Sequence, residues 1–283
     1  MKKLVAISLL LVSVLLGSET VKAQAFNDFF KKKDVLNRKP IELPAVREAD
    51  IIWAKQIWRI VDLREKTNHS LYFPTKELDG RTNLINLLLE GIKDGVLTAY
   101  DAREDEEFKT PITYEQVREM FGATTTTRRV RDFDTGELVD KKVEGKIRPE
   151  EVKQLMIKEV WYFNKQSSAL EVRIQGICPI RVFYRNDAIA QDIAQRQQVF
   201  WISYPEAREL LAKKEVYNPY NDAISLSFDD LFIKRKFNSY IVAESNAFNN
   251  RMINSYLSGT EAMMESKRIE DKMFNFEQDL WEY

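Results

Sequence analysis

Leu170, Val172 and Ile174 alternate with Glu171, Arg173 and Gln175 in one unbroken run. Successive strand residues point to opposite faces, so the run reads as a strand with one face in a core and one toward water. A wet face of that kind fits an antiparallel sheet, because parallel sheets are covered on both sides. Val160 to Phe163, Arg181 to Tyr184 and Val199 to Tyr204 are aromatic and β-branched runs that supply neighbours for it.

Other stretches carry a helical period. Ile51, Trp53, Ile57, Trp58, Ile60 and Val61 follow helical spacing over 47–62, and Leu84, Leu88 and Ile92 line up with Ile85 and Leu89 over 82–93. Leu71-Tyr72-Phe73 reads as a short strand before Pro74, and Val96 to Tyr100 as another. Thr113-Tyr114-Glu115-Gln116 is a capping-box sequence that starts a helix burying Tyr114, Val117 and Phe121. Ser203-Tyr204-Pro205-Glu206 starts another, with proline tolerated in the first turn. Ser227-Phe228-Asp229-Asp230 opens a longer one reaching Ile241, and the Gln-rich stretch 187–198 reads as an exposed helix. The last thirty residues are helical, with Met263, Met264, Met273 and Phe274 forming an adaptable apolar face. Strands and helices together predict an α+β fold with an antiparallel sheet and a helical C-terminal segment.

The chain divides at composition shifts. Residues 24–46 read as an extended arm or as a plain disordered terminus, where Pro40 and Pro44 hold their preceding residues out of helix. Residues 122–146 are a polar linker or a protruding hairpin, with turn chemistry at Asp134-Thr135-Gly136. Val96 to Asp101 followed by Ile112 to Glu115 is echoed by Glu215 to Asn218 followed by Leu226 to Asp229. The echo suggests two related α+β units, 47–121 and 147–242, followed by the segment 243–283. Helix caps also recur by chance, so a single unit stays open.

Residues 1–23 have the form of a signal peptide. Met1-Lys2-Lys3 is cationic, Leu4 to Leu16 is apolar, and Val21-Lys22-Ala23 places cleavage before Gln24. The apolar run is shorter than the roughly 20 residues needed to span a bilayer. With no cysteine at the cleavage point, the expected mature protein is exported and carries no lipid. Cys178, the lone cysteine, sits among Ile177, Pro179 and Ile180 and reads as a small buried hydrophobe. One cysteine and one histidine, His69, leave no zinc set of the usual kind, and no cofactor is expected. Acidic and basic residues nearly cancel at a net charge of −1, and the signs are interspersed, which argues against nucleic acid as a partner.

The chemistry that remains is sparse. Asp101 to Glu107 is rich in carboxylates, and paired carboxylates run glycoside hydrolysis. The run lacks the spacing of a calcium loop, and adjacency in sequence does not make a catalytic pair. A periplasmic carboxylate-dependent glycan hydrolase or a glycan-binding module is therefore the competing reading. Aromatic residues point elsewhere: eleven tyrosines, sixteen phenylalanines and five tryptophans suit protein interfaces. On a helix Trp53 and Trp58 stand about 140° apart, so either both belong to a broad core or one packs inward while the other faces a partner. Phe274, Phe276, Trp281 and Tyr283 mark the acidic, methionine-rich C-terminus as a second candidate partner interface.

The run from Arg47 through Ile51-Ile52-Trp53 and Ile57-Trp58-Arg59 to Lys66, continued by Asn68-His69-Ser70-Leu71-Tyr72-Phe73-Pro74, resembles the GldN/PorN family. The likeness continues less sharply along the mature chain. The family belongs to the type IX secretion and gliding machinery of Bacteroidetes. The resemblance implies a non-enzymatic structural subunit in the periplasm, peripheral to the outer membrane. It further implies self-association in a ring with a GldK/PorK-type outer-membrane lipoprotein, and contact with a GldM/PorM-type inner-membrane protein. It assigns no catalytic residues.

Overall fold

The computed structural model describes residues 38–281, except 79, 104–106, 124–125, 132–137, 144, 185–193 and 219–224. In chain order the elements are β1 (Ile51–Asp62), α1 (His69–Tyr72), α2 (Leu84–Lys93), β2 (Ala99–Asp101), β3 (Pro111–Ile112) and α3 (Tyr114–Met120). Then come β4 (Thr126–Arg131), β5 (Leu138–Val143), β6 (Val152–Asn164), β7 (Ala169–Tyr184), β8 (Ala194–Gln198) and β9 (Phe200–Ser203). The chain ends with α4 (Tyr204–Ala212), α5 (Phe228–Ile233), β10 (Tyr240–Glu244) and α6 (Gly259–Trp281). The fold is α+β, as the sequence predicts.

One antiparallel sheet runs β10-β1-β6-β7-β9-β2-β3, with β8 also on β7. It joins strands from 47–121 and from 147–242, since β1 lies between β6 and β10. The two echoed segments share a detail: an antiparallel bridge, Ala99 to Ile112 or Glu215 to Ser227, stands just before a capped helix. Both capping boxes are complete, Thr113 with Gln116 and Ser227 with Asp230. β4 and β5 pair with each other as a hairpin, and the turn residues 132–137 lie outside the described residues.

Several elements differ from the sequence reading. The run 51–62 is a strand: its β-branched and aromatic residues suit a pleated surface, and partners on both sides fix it. Residues 57–62 are buried on both faces, so the alternation that marks a strand is erased. Leu71 belongs to a helical turn, and extended backbone begins only at Phe73, the residue before proline. Within 187–198, residues 194–198 form β8 on the edge of β7 instead of a helix. α5 stops at Ile233, and Ile241 lies in β10.

The sheet has a core on each face. On one side Val61, Leu155, Ile157, Ile177 and Ile202 pack under α2, α4 and α5 through Leu88, Leu211, Phe228 and Phe232. Further along that face Ile57 and Ile241 meet Ile269 and Met273 of α6. On the other side Trp58, Met156, Cys178 and Trp201 are buried together, and Cys178 is the small core residue its setting predicts. Phe108 closes this second core with its ring edge-on to Trp201 at 5.9 Å and to Tyr100 at 5.7 Å. Its seat is Gly176, where a Cβ would stand 2.4 Å from Phe108 Cζ and 3.0 Å from the Ile202 carbonyl oxygen. Gly176→Ala should therefore cost about 1–3 kcal/mol by overpacking. A melting temperature equal to wild type would show that Phe108 does not depend on that seat.

At the end of β1, the Asp62 carboxylate accepts from Arg64 Nε at 2.9 Å, the Arg64 backbone N–H at 3.0 Å and Gln154 Nε2 at 3.1 Å. These bonds, the Arg64 side chain first, hold the Asp62 pKa down at about 2. An aspartate freed by unfolding titrates near 3.9. The stabilisation is thus complete above about pH 4 and is lost as pH falls toward 2. Asp62→Asn should flatten that part of the acid-unfolding curve; the same slope as wild type between pH 4 and 2 would contradict the assignment.

Candidate interaction surfaces

α6 is held to the sheet along one side. Ile269 and Met273 are buried against Ile57 and Ile241, and Phe276 stacks on Trp53 with ring centroids 4.9 Å apart. Polar contacts run beside them: Arg59 to Glu270 at 3.2 Å, and the Leu170 N–H to Glu277 Oε1 at 3.4 Å. Ser266 Oγ accepts the Ile241 N–H at 3.0 Å, so the helix covers the open edge of β10.

The opposite side carries Met263, Met264 and Phe274, which are 73%, 68% and 60% exposed. Met263 and Phe274, eleven residues apart, fall within about 20° of each other around the helix. Lys267 and Asp271 pair at 3.1 Å between them. The result is an apolar row interrupted by a charge pair, with no covering element among the described residues.

The residues picked out from sequence therefore separate. Trp58, 1% exposed, is a core residue. Trp53 is half-buried on the other face, because a five-residue step along a strand reverses the side. It seats α6 through Phe276 instead of standing free. Among the described members of the set, Phe274 is the exposed one. The expected common face of Met263, Met264, Met273 and Phe274 is split, since Met273 points into the core. Trp281 ends α6, and its side chain and all of Tyr283 lie outside the described residues.

Where β7 meets α4 there is a cleft of about 980 Å³ whose lining includes Leu43, Phe108, Lys158, Arg173, Gln175 and Arg208. Lys158 is 5% exposed, with its ammonium 5.5 Å from the Trp58 ring centre and 5.7 Å from that of Phe108. Beside it lies a cluster that the sequence does not reveal. Tyr204 donates its hydroxyl proton to Asp229 at 2.8 Å, and Arg208 grips the same carboxylate at 3.0 and 3.1 Å. Burial first, then the Asp229 charge, pushes the Tyr204 phenol well above its usual range, so it remains a donor. Arg208 also reaches the Ile41 carbonyl at 2.5 Å, and Arg173 reaches that of Pro44 at 3.0 Å. Residues 38–46 thus lie extended along the rim of the cleft. The carboxylate run 101–107 is incomplete here, as 104–106 lie outside the described residues.

Among the described residues no group of three or more His, Cys, Asp or Glu could hold a metal ion, and no helix is long and apolar enough to cross a membrane. The family model described as gliding motility associated protein GldN matches residues 46–282. The chain belongs to the GldN family. No curated protein matches it. The GldN match spans β1 through α6, so the exposed row of α6 lies inside it, as does the cleft apart from Leu43 and the strip before residue 46.

Proposed function

We propose that this GldN-family chain is a structural, non-enzymatic subunit of the type IX secretion and gliding motility machinery. Its place is the periplasmic side of the outer membrane, where it joins copies of itself and a GldK/PorK-type lipoprotein in a ring. A GldM/PorM-type inner-membrane protein contacts that ring and brings energy to it. Family membership supports the machine, and the signal-peptide form of residues 1–23 supports the compartment.

The observation that carries the structural role is the outer row of α6. A helix already seated by Ile269, Met273 and Phe276 still exposes Met263, Met264 and Phe274, the residue types that anchor interfaces. A helix docked on one side that still exposes three large apolar side chains among charges on the other is a scaffold for partners. Affinity purification of the tagged protein from detergent-solubilised envelopes, followed by mass spectrometry, tests the reading. Recovery of the outer-membrane lipoprotein and the inner-membrane protein is expected. A monomer that recovers neither and cleaves glycan would establish the hydrolase reading instead.

A further inference from the structure

The strip of chain before β1 is held in a way that suits exchange between copies. None of residues 38–50 is buried, and Ile41 and Leu43 are exposed. Among the described residues, 38–46 makes no backbone-to-backbone hydrogen bond to the rest of the molecule. Arginine side chains hold it: Arg208 at the Ile41 carbonyl, Arg173 at the Pro44 carbonyl, and Arg38 reaching Ser225 Oγ at 2.8 Å. Two of these contacts read main-chain oxygens of the strip and the third uses its own Arg38 side chain, while Leu43 lines the cleft.

The receiving side is rigid by contrast. Arg208 is buried and fixed from two directions by Asp229, which is itself held by Tyr204. A preformed receptor therefore faces a loosely held ligand. The first residue joined to the sheet region backbone to backbone is Asp50, whose carbonyl accepts the Lys165 N–H at 2.8 Å. Residues 38–49, swung about that point, reach about 40 Å when extended.

We infer that in the assembled state each copy receives residues 38–46 of a neighbouring copy along this cleft. The inference rests on the reading of the chain as a self-associating subunit. An identical strip makes identical bonds in trans, so the exchange keeps every contact and links one copy to the next. Repeated head to tail, it joins neighbours without a new interface having to form first. Pro40 and Pro44 keep the strip extended and ready in either state.

The test uses the full chain in a Cys178→Ser background, which removes the native cysteine. Leu43→Cys on a copy with one tag is co-expressed with Gln175→Cys on a copy with a second tag, and envelopes are treated with a bismaleimide. A covalent product carrying both tags, at twice the monomer mass, is expected. The double variant Leu43→Cys/Gln175→Cys gives the intrachain control, and sedimentation of the same samples reports association. Oligomers that yield only the monomer-sized intrachain product would overturn arm exchange and leave self-association standing. Monomers throughout would overturn both.

Discussion

Replacing Trp58 by alanine should lower the melting temperature by about 6–20 °C. The indole is 1% exposed, packs with Met156, Cys178 and Trp201, and lies beneath the Lys158 ammonium. Truncating a buried aromatic costs about 3–5 kcal/mol, and each kilocalorie moves the melt of a chain this size by roughly 2–4 °C. Trp53→Ala should behave differently. Its half-buried ring chiefly seats Phe276, a pair contact worth about 1 kcal/mol, so the global melt should move little. The C-terminal turns of α6 should become easier to cleave by limited proteolysis. Equal melting losses in the two variants would show that both indoles serve the same core.

Asp229→Ala should be nearly as damaging. It leaves the Arg208 charge buried without its counter-ion and removes the acceptor of the Tyr204 hydroxyl. Breaking one side of a buried ion pair typically costs about 3–5 kcal/mol, because the remaining charge stays desolvated. Arg208→Met added to Asp229→Ala removes that stranded charge, so the double variant should melt higher than the single. If the single variant melts like wild type, the cluster contributes nothing to the fold.

How far sequence carries here depends on whether the deciding contact is local. Helix starts are local, and Thr113 with Gln116 and Ser227 with Asp230 form the caps that their spacing announces. The alternation of 170–175 likewise marks β7, although the strand continues to Tyr184. β1 was misleading for a physical reason: a strand buried on both faces carries no period of two, and Trp53, Ile57 and Ile60 mimic a helical stripe. Its neighbour β6 begins ninety residues later, so nothing nearby corrects the reading. The cluster around Asp229 was hidden in the same way, since Arg208 lies 21 positions from Asp229 and 167 from Ile41. The aromatic content of the C-terminus flagged α6, but only packing separates Phe276, which seats the helix, from Phe274, which does not.

The outer row of α6 is the part of the account most open to direct measurement. Met263→Ser/Phe274→Ser alters two exposed side chains, and surface changes of that kind usually stay within about 0.5 kcal/mol of wild-type stability. Purified from envelopes beside the wild-type protein, the variant should melt at the same temperature and recover at least tenfold less of the outer-membrane lipoprotein. Undiminished recovery with an unchanged melt would contradict the account, because this row would then not be where the assembly is joined.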